Sequence, residues 1–191
     1  MHARVNTIFG RRDKVAAGLA LAEGTDRAAV EASFGNLGLA TFADPDAGVI
    51  VAVSYWNEPA RASAPTLTAA RAAVAAAAGG DLVAESYAVA WQLPATASPG
   101  ATVRVDRLQI DTATAGAGLR ERLVRHVRHV PGFCGAELLV DRALGAGMLV
   151  TTWTSDSDAQ RVDAAISAVR DGGTTTTETY VLVRGRAGQD R

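Results

Sequence analysis

The sequence is short of several things, and each shortage excludes a class of function. It holds one cysteine, Cys134, so no disulfide can form within the chain and an oxidising compartment is not implied. Lys14 is the only lysine, and the formal net charge is −1, so nothing global attracts nucleic acid or an anionic membrane. The longest apolar run, Ala72 to Ala78, is far too short to span a bilayer. No basic segment with an apolar stretch behind it precedes the first strand pattern, so no signal peptide is expected and the default compartment is the cytoplasm. There is no glycine-rich phosphate loop after a strand, no Cys/His metal spacing and no Gly-x-Ser-x-Gly elbow. Gly116, Gly118, Gly145 and Gly147 are too scattered for a dinucleotide fingerprint. Neither a metal nor a nucleotide cofactor is therefore expected.

What is present is a repeat. Gly35, Gly38, Asp44, Gly48, Val53 and Trp56 match Gly132, Gly135, Asp141, Gly145, Val150 and Trp153 at a constant offset of 97. Six ungapped matches in so short a window mark an internal duplication. Hydrophobic residues make up 48% of the 191 positions, enough for a core.

The periodicity predicts the same order of elements twice. In the first copy Arg4 to Phe9 alternates as a strand. Arg11 to Phe34 is helical, with a break at Glu23-Gly24-Thr25-Asp26 where Thr25 or Asp26 could cap a second piece. Leu37 to Phe42 and Val49 to Trp56 are strands joined by the turn residues Asp44 to Gly48. An alanine-rich helix from Pro59 to Ala78 ends at Gly79-Gly80, and Leu82 to Trp91 is the fourth strand. Leu93 to Gly100, with two prolines among small residues, reads as a linker. In the second copy Thr102 to Ile110 is a strand and Gly118 to Val130 a helix with Leu119, Leu123, Val127 and Val130 on one face. The stretch Pro131 to Asp141, followed by Met148 to Trp153, reads as a strand, a turn and a second strand ending in Trp. Ser155 to Asp158 caps a helix reaching Arg170, with Val162, Ile166 and Val169 as its apolar face. Gly172-Gly173 ends it, and Thr175 to Val183 is the last strand.

Each copy is thus β-α-β-β-α-β, the ferredoxin-like order. Four antiparallel strands with both helices on one face leave the other face uncovered, and that face is apolar in both copies. The expected fold is α+β: two ferredoxin-like repeats, residues 1–92 and 101–186, joined by the linker 93–100 into an intramolecular pseudo-dimeric α/β barrel, with a polar tail at 187–191. Such a chain can stand as a monomer.

The stretch Pro131-Gly132-Phe133-x-Gly135-Ala136-Glu137-Leu138-Leu139, followed by Val150-Thr151-Thr152-Trp153-Thr154-Ser155, resembles the antibiotic-biosynthesis monooxygenase type of the dimeric α/β-barrel superfamily. The second copy fits over its whole length, and the first fits through the repeat. The resemblance implies a ligand site between each sheet and its own helices. It also implies a choice among cofactor-free oxygenation of quinols or anthrones, haem degradation, and no known chemistry.

The candidate residues follow. Asn6 sits mid-strand, where asparagine is disfavoured. In haem-degrading relatives an Asn at this position works with a Trp and a His on the second helix. Pro59 to Ala78 has neither, Ser155 to Arg170 has neither, and the second copy has Asp106 in place of Asn6, so haem degradation is disfavoured. The alternative for Asn6 is a polar group bonded to a neighbouring loop. Trp56 and Trp153 recur at equivalent strand ends and read as core before pocket wall. Tyr87 and Tyr180 recur two residues after Glu85 and Glu178 and could hydrogen-bond a quinone oxygen or merely satisfy themselves. His126 and His129 share a helix face among arginines. They read as a solvated basic surface, with His126 the candidate base if a site uses one. Cys134 reads as a small buried filler.

Two functions remain. One is cofactor-independent oxygenation of a polycyclic phenol, anthrone or quinol, with His126 and Asn6 as catalytic candidates. Trp56, Tyr87, Asp106, His129, Trp153 and Tyr180 are then candidates for binding a small aromatic substrate. The other is a non-catalytic small-ligand-binding or structural protein of the same fold. The differences between the copies support one working site at most.

Overall fold

The computed structural model describes residues 1–93, 96–110, 117–127, 129–161 and 174–186. The eight strands are hydrogen-bonded in the order β1-β3-β2-β8-β5-β7-β6-β4, which closes as a barrel. They are β1 (His2–Phe9), β2 (Asn36–Asp44), β3 (Val49–Trp56), β4 (Asp81–Leu93), β5 (Thr102–Gln109), β6 (Phe133–Asp141), β7 (Ala146–Trp153) and β8 (Thr174–Arg184). Five α-helices accompany them among the described residues: α1 (Val15–Leu21), α2 (Arg27–Glu31), α3 (Pro65–Ala78), α4 (Ala117–Val127) and α5 (Asp156–Arg161). The fold is the expected α+β arrangement of two ferredoxin-like repeats in one chain. No helix among the described residues is long and apolar enough to cross a membrane.

Contacts divide the chain into two compact units, Met1–Tyr87 with Val183–Arg191, and Ala88–Leu182. In the first unit β3 pairs antiparallel with β1 and with β2, so Ala52 lies opposite both Asn6 and Thr41. Ile8 and Ile50 pack with Val15, Ala22, Val74, Ala75 and Ala78 of the helices. Side chains alternate along a strand, so this places Asn6, Ala52, Ser54 and Trp56 on the same helix-facing side. A second patch on that side joins Val30, Leu39, Ala52, Trp56, Ala62 and Leu67. In the second unit β7 pairs with β5 and β6, β8 with β5, and the far end of β4 with β6. Leu108, Leu138, Leu149 and Trp153 pack there with Val127 and Ala159. Leu93, the first residue of the expected linker, is the last of β4 and pairs with Ala136.

The repeated glycines have repeated causes. Gly48 and Gly145 take φ of 75° and 62° in the β2–β3 and β6–β7 turns, a region open to glycine. Gly35 and Gly132 also have positive φ, and a Cβ at either would strike a side chain, Asn57 in one copy and Asp158 in the other. Both copies also shift register between the first residues of the hairpin, at Asn36/Gly38 and Phe133/Gly135. The Asn36 amide braces the first of these bulges, donating to Gly38 O and Tyr55 O and accepting from Gly38 N.

Three expectations are corrected. The break at Glu23 to Asp26 is a π-helical turn, Ala22–Asp26, through which the helix runs without a cap. Asp26 therefore turns inward instead of bonding a free N–H. The first helical stretch ends at Glu31, short of Phe34, which is exposed. Pro59 to Ala78 is not one helix: Pro59–Ser63 is a 3-10 turn, and Pro65, with no N–H to give, starts α3 afresh. Leu119 and Leu123 lie in α4 but their side chains are outside the described set, as are Val162, Ile166, Val169, Gly172 and Gly173 altogether.

Candidate functional site

The helix-facing side of the first unit should be apolar, yet polar groups gather in it. Arg71 is the only charged residue of α3. It stands four residues after Leu67 and three before Val74, both buried, so it projects into the same interface. It is 5% exposed. Its Nη1 donates to Ala62 O at 2.8 Å and its Nη2 to Ser54 Oγ at 3.2 Å. Ser54 Oγ also accepts from Trp56 Nε1 at 2.9 Å. Asp26 ends the π-helical turn and is 4% exposed. Asn6 is 2% exposed.

What sets this group apart is what its atoms lack. Among the described residues, Asn6 Nδ2 and Oδ1, Asp26 Oδ1, Arg71 Nε and Arg4 Nε are buried with no hydrogen-bond partner. Each such group costs about 1–3 kcal/mol if left unpaired, and buried polar groups in folded proteins are normally paired. Burial holds the Asp26 carboxyl above its usual range, against the opposing pull of Arg71 and Arg27; Glu23 adds to the rise. Burial also lowers Arg71, which Asp26 partly offsets and Arg4 reinforces. Arg71 and Asp26 thus sense each other's charge, but neither donates to nor accepts from the other. The arrangement suits a molecule that offers an acceptor to Arg71 and Asn6, beside a carboxylate oxygen of Asp26 that no protein group engages.

Arg27, the neighbour of Asp26, is fully engaged. It donates to both Glu23 oxygens, to Glu31, to Leu39 O and to Thr41 Oγ1, at 3.0–3.1 Å. It fastens the helix to β2 and leaves nothing for a ligand.

The second unit treats the equivalent position differently. Asp106 is fully buried, accepts from Thr177 Oγ1 at 2.6 Å and lies 3.3 Å from Arg104 Nε. A charge is neutralised there in place. Trp153 Nε1 donates to Thr151 Oγ1 at 2.9 Å, repeating the Trp56–Ser54 bond, and Phe133 stands edge-on to Trp153 at 5.2 Å. This unit has a cleft of about 630 Å³ with Leu93, Val124 and Phe133 as its apolar lining and Arg120, Glu121 and Arg125 as its charged edge. None of these six lining residues carries a buried polar atom without a partner, so the cleft is the weaker candidate.

The other sequence candidates sit as follows. Trp56 and Trp153 are completely buried. Tyr87 and Tyr180 are nearly so, and each donates its hydroxyl to the glutamate two residues before it, Glu85 at 2.9 Å and Glu178 at 3.0 Å. His126 and His129 are exposed in the second unit and do not line the cleft. Cys134 is half-buried and burial raises its thiol. The sequence marks Asp26 only as a possible helix cap and does not mark Arg71 or Ser54. The signal for Arg71 was available, as a lone charge on the apolar stripe of an alanine-rich helix. Asp26 was hidden by its turn-like neighbours.

Among the described residues no group of three His, Cys, Asp or Glu could hold a metal ion. No protein-family model matches the chain. An uncharacterised protein of Mycobacterium tuberculosis, found in strains CDC 1551 and H37Rv, is 26% identical over 161 residues, covering 81% of this chain and 72% of that one. A candidate monooxygenase from Lactobacillus acidophilus superposes with a TM-score of 0.70 at 10% identity, over 96% of this chain and 93% of the other. An anthrone oxidase-like protein gives 0.65 at 16%, over 98% and 94%. A ferredoxin-fold protein related to antibiotic biosynthesis monooxygenases, from Listeria monocytogenes, gives 0.52 at 12%, over 96% and 95%.

The chain has the ferredoxin-like α/β-barrel fold of these structures. In each of these three matches nearly the whole of both chains is aligned, so the likeness of the α/β-barrel takes in both repeats. The polar group around Asn6 lies between the first repeat's sheet and its helices, where the sequence resemblance placed a ligand site.

Proposed function

We propose that the first repeat binds a small aromatic molecule bearing hydroxyl or keto groups and oxygenates it with dioxygen, without a cofactor. The observation that carries the reading is the set of five unpartnered buried atoms on Asn6, Asp26, Arg71 and Arg4, in an interface where Ile8, Ile50, Leu67 and Val74 are apolar and the polar residues Ser54, Arg27 and Thr41 are already hydrogen-bonded. Apolar walls suit the ring system, and the polar atoms suit its oxygens. The monooxygenase and anthrone oxidase-like neighbours support the reaction class at the level of fold. An electron-rich ring that has lost a proton reduces dioxygen directly, so the protein's tasks are to bind, orient and deprotonate. Asn6 is proposed to hold a ring oxygen, with Trp56 fixing Ser54 and through it Arg71.

The test uses dithranol, a dihydroxyanthrone, and its oxidised form danthron as a coloured ligand that does not turn over. Danthron should bind one site per chain, and dithranol should drive oxygen uptake. Danthron bound without uptake would instead favour the non-catalytic ligand-binding role, and neither result would remove both. Asn6→Leu should lower danthron affinity about tenfold while raising unfolding stability by about 1 kcal/mol, because an apolar isostere relieves two unpaired buried atoms. A loss of both would make Asn6 structural. His126→Ala should leave uptake and its pH profile unchanged, since His126 is an exposed residue of the second unit; a drop would return it to the site.

A further inference from the structure

We infer that Asp26 is the catalytic residue that takes a proton from a ring carbon or hydroxyl of the substrate, with Arg71 and Asn6 holding the oxygen on which the released charge settles. This rests on the oxygenase reading above. The geometry separates a carboxylate and a guanidinium that share one buried neighbourhood without closing into an ion pair. Asp26 Oδ1 and Arg71 Nε are both unpartnered. Arg71 is held from behind by Ala62 O and Ser54 Oγ, so its free edge is fixed in direction. Asp26 is held by the π-helical turn, a local geometry often found where a side chain must be aimed at a site.

The groups that face Asp26 are named by element. Glu23 shares its π-helical turn, Arg27 follows on α2, Arg71 reaches across from α3, and Arg4 on β1 acts on Arg71. Arg27 and Glu23 are bonded to each other, which leaves Arg71 as the counter-charge without a full set of partners. Burial keeps the proton affinity of Asp26 above the ordinary carboxyl value of 3.8. That makes it a stronger base than an exposed carboxylate would be, as a general base requires.

For an anthrone the step balances with dioxygen as the only co-reactant. Asp26 removes one proton from the ring methylene, and the electron pair spreads onto the keto oxygen, which Arg71 and Asn6 stabilise. The carbanion gives its electrons to dioxygen, forming a C–O bond. Asp26 returns its proton to the terminal oxygen, giving a hydroperoxide. Loss of the second methylene proton then breaks the O–O bond, leaving a carbonyl and one water. The carbon is oxidised by four electrons, and dioxygen is reduced by four.

Asp26→Asn keeps the shape and removes the base. Danthron affinity should stay within about threefold of the parent protein, while dithranol-driven oxygen uptake falls about a hundredfold, the low end for a lost general base. The parent rate should fall as pH drops through the Asp26 titration, and that acid limb should be missing in Asp26→Asn. Danthron should also perturb a carboxylate stretching band in the infrared difference spectrum, absent in Asp26→Asn. Parent-like uptake with the same acid limb in Asp26→Asn would overturn the assignment and leave the oxygenase reading standing. Loss of danthron binding in Asp26→Asn would also overturn it, since the residue would then hold the ligand and not take its proton. No uptake by the parent protein would overturn both.

Discussion

Arg27→Ala should destabilise the chain by about 3 kcal/mol, among the largest losses available to a single substitution in the first repeat. The guanidinium is 3% exposed and makes five hydrogen bonds. Its removal affects its partners unequally. Glu23 and Glu31 are 22% and 37% exposed and can recover water, so their loss is modest. Leu39 O and Thr41 Oγ1 are buried and cannot, which leaves unsatisfied acceptors on β2. Arg27→Lys should fall between, because an ammonium cannot span both glutamates and the strand as the planar fork does. Urea denaturation of the three proteins checks the order. Equal midpoints for Arg27→Ala and the parent would show that α2 does not depend on this anchor.

Trp56→Ala and Trp153→Ala should each cost about 3–5 kcal/mol, the usual toll of emptying a buried indole site. The more informative comparison is with phenylalanine. Trp56→Phe and Trp153→Phe each remove one indole N–H bond, to Ser54 and Thr151 respectively. Their stability losses should therefore be similar, about 1 kcal/mol beyond the change in packing. Their effects on danthron should differ. Ser54 also accepts from Arg71, so Trp56→Phe loosens a group proposed to face the ligand, and affinity should drop several-fold. Thr151 has no such second duty among the described bonds, and Trp153→Phe should bind as the parent does. Equal binding by both would argue against the first repeat as the site.

Asp26 gives a further prediction with a definite sign. Its carboxyl is raised in the folded chain relative to the ordinary 3.8, so the folded protein holds that proton more tightly than the unfolded chain. Its contribution to stability is therefore most favourable below 3.8 and declines as pH rises through the folded value. Asp26→Asn should melt higher than the parent at neutral pH, and the gap should close in acid. A gap that widened in acid would mean that Asp26 gains from its ion partners more than it loses by burial.

The repeat carried most of the fold. Glycines at the same turns, Trp at the same strand ends and Asp at the start of the same hairpin turns are local requirements, and each left its mark twice. The strands were legible because their β-branched residues alternate. The helices were less so. Proline at 65 looked like an interior position, yet it starts a new helix. Glu23 to Asp26 looked like a break because glycine and threonine are poor helix formers, while tertiary packing holds them in a wider turn. Asn6 drew notice as a polar residue where the pattern called for an apolar one. Its companions did not, because they come from a helix and a turn distant in sequence, and only folding brings them to the same side of the sheet. The histidines attracted notice as titratable groups near neutrality, yet their exposure leaves them without a shaped environment. Where the repeats part was read from composition at 93–100, while contacts part within β4 between Tyr87 and Ala88. One boundary records the duplication and the other records the packing.

The π-helical turn can also be seen as a change of rotational phase. A duplicated chain starts with two identical copies, and most later substitutions alter one side chain at a time. A helix that takes up one extra residue turns everything after it by about 100°. In the first copy Asp26 closes this turn and Arg27 follows it, and both are buried. The first helix of the second copy, Ala117–Val127, is α-helical throughout. Where the helix winds more widely, the first copy thus carries a buried acid directly beside the arginine that anchors the helix to β2.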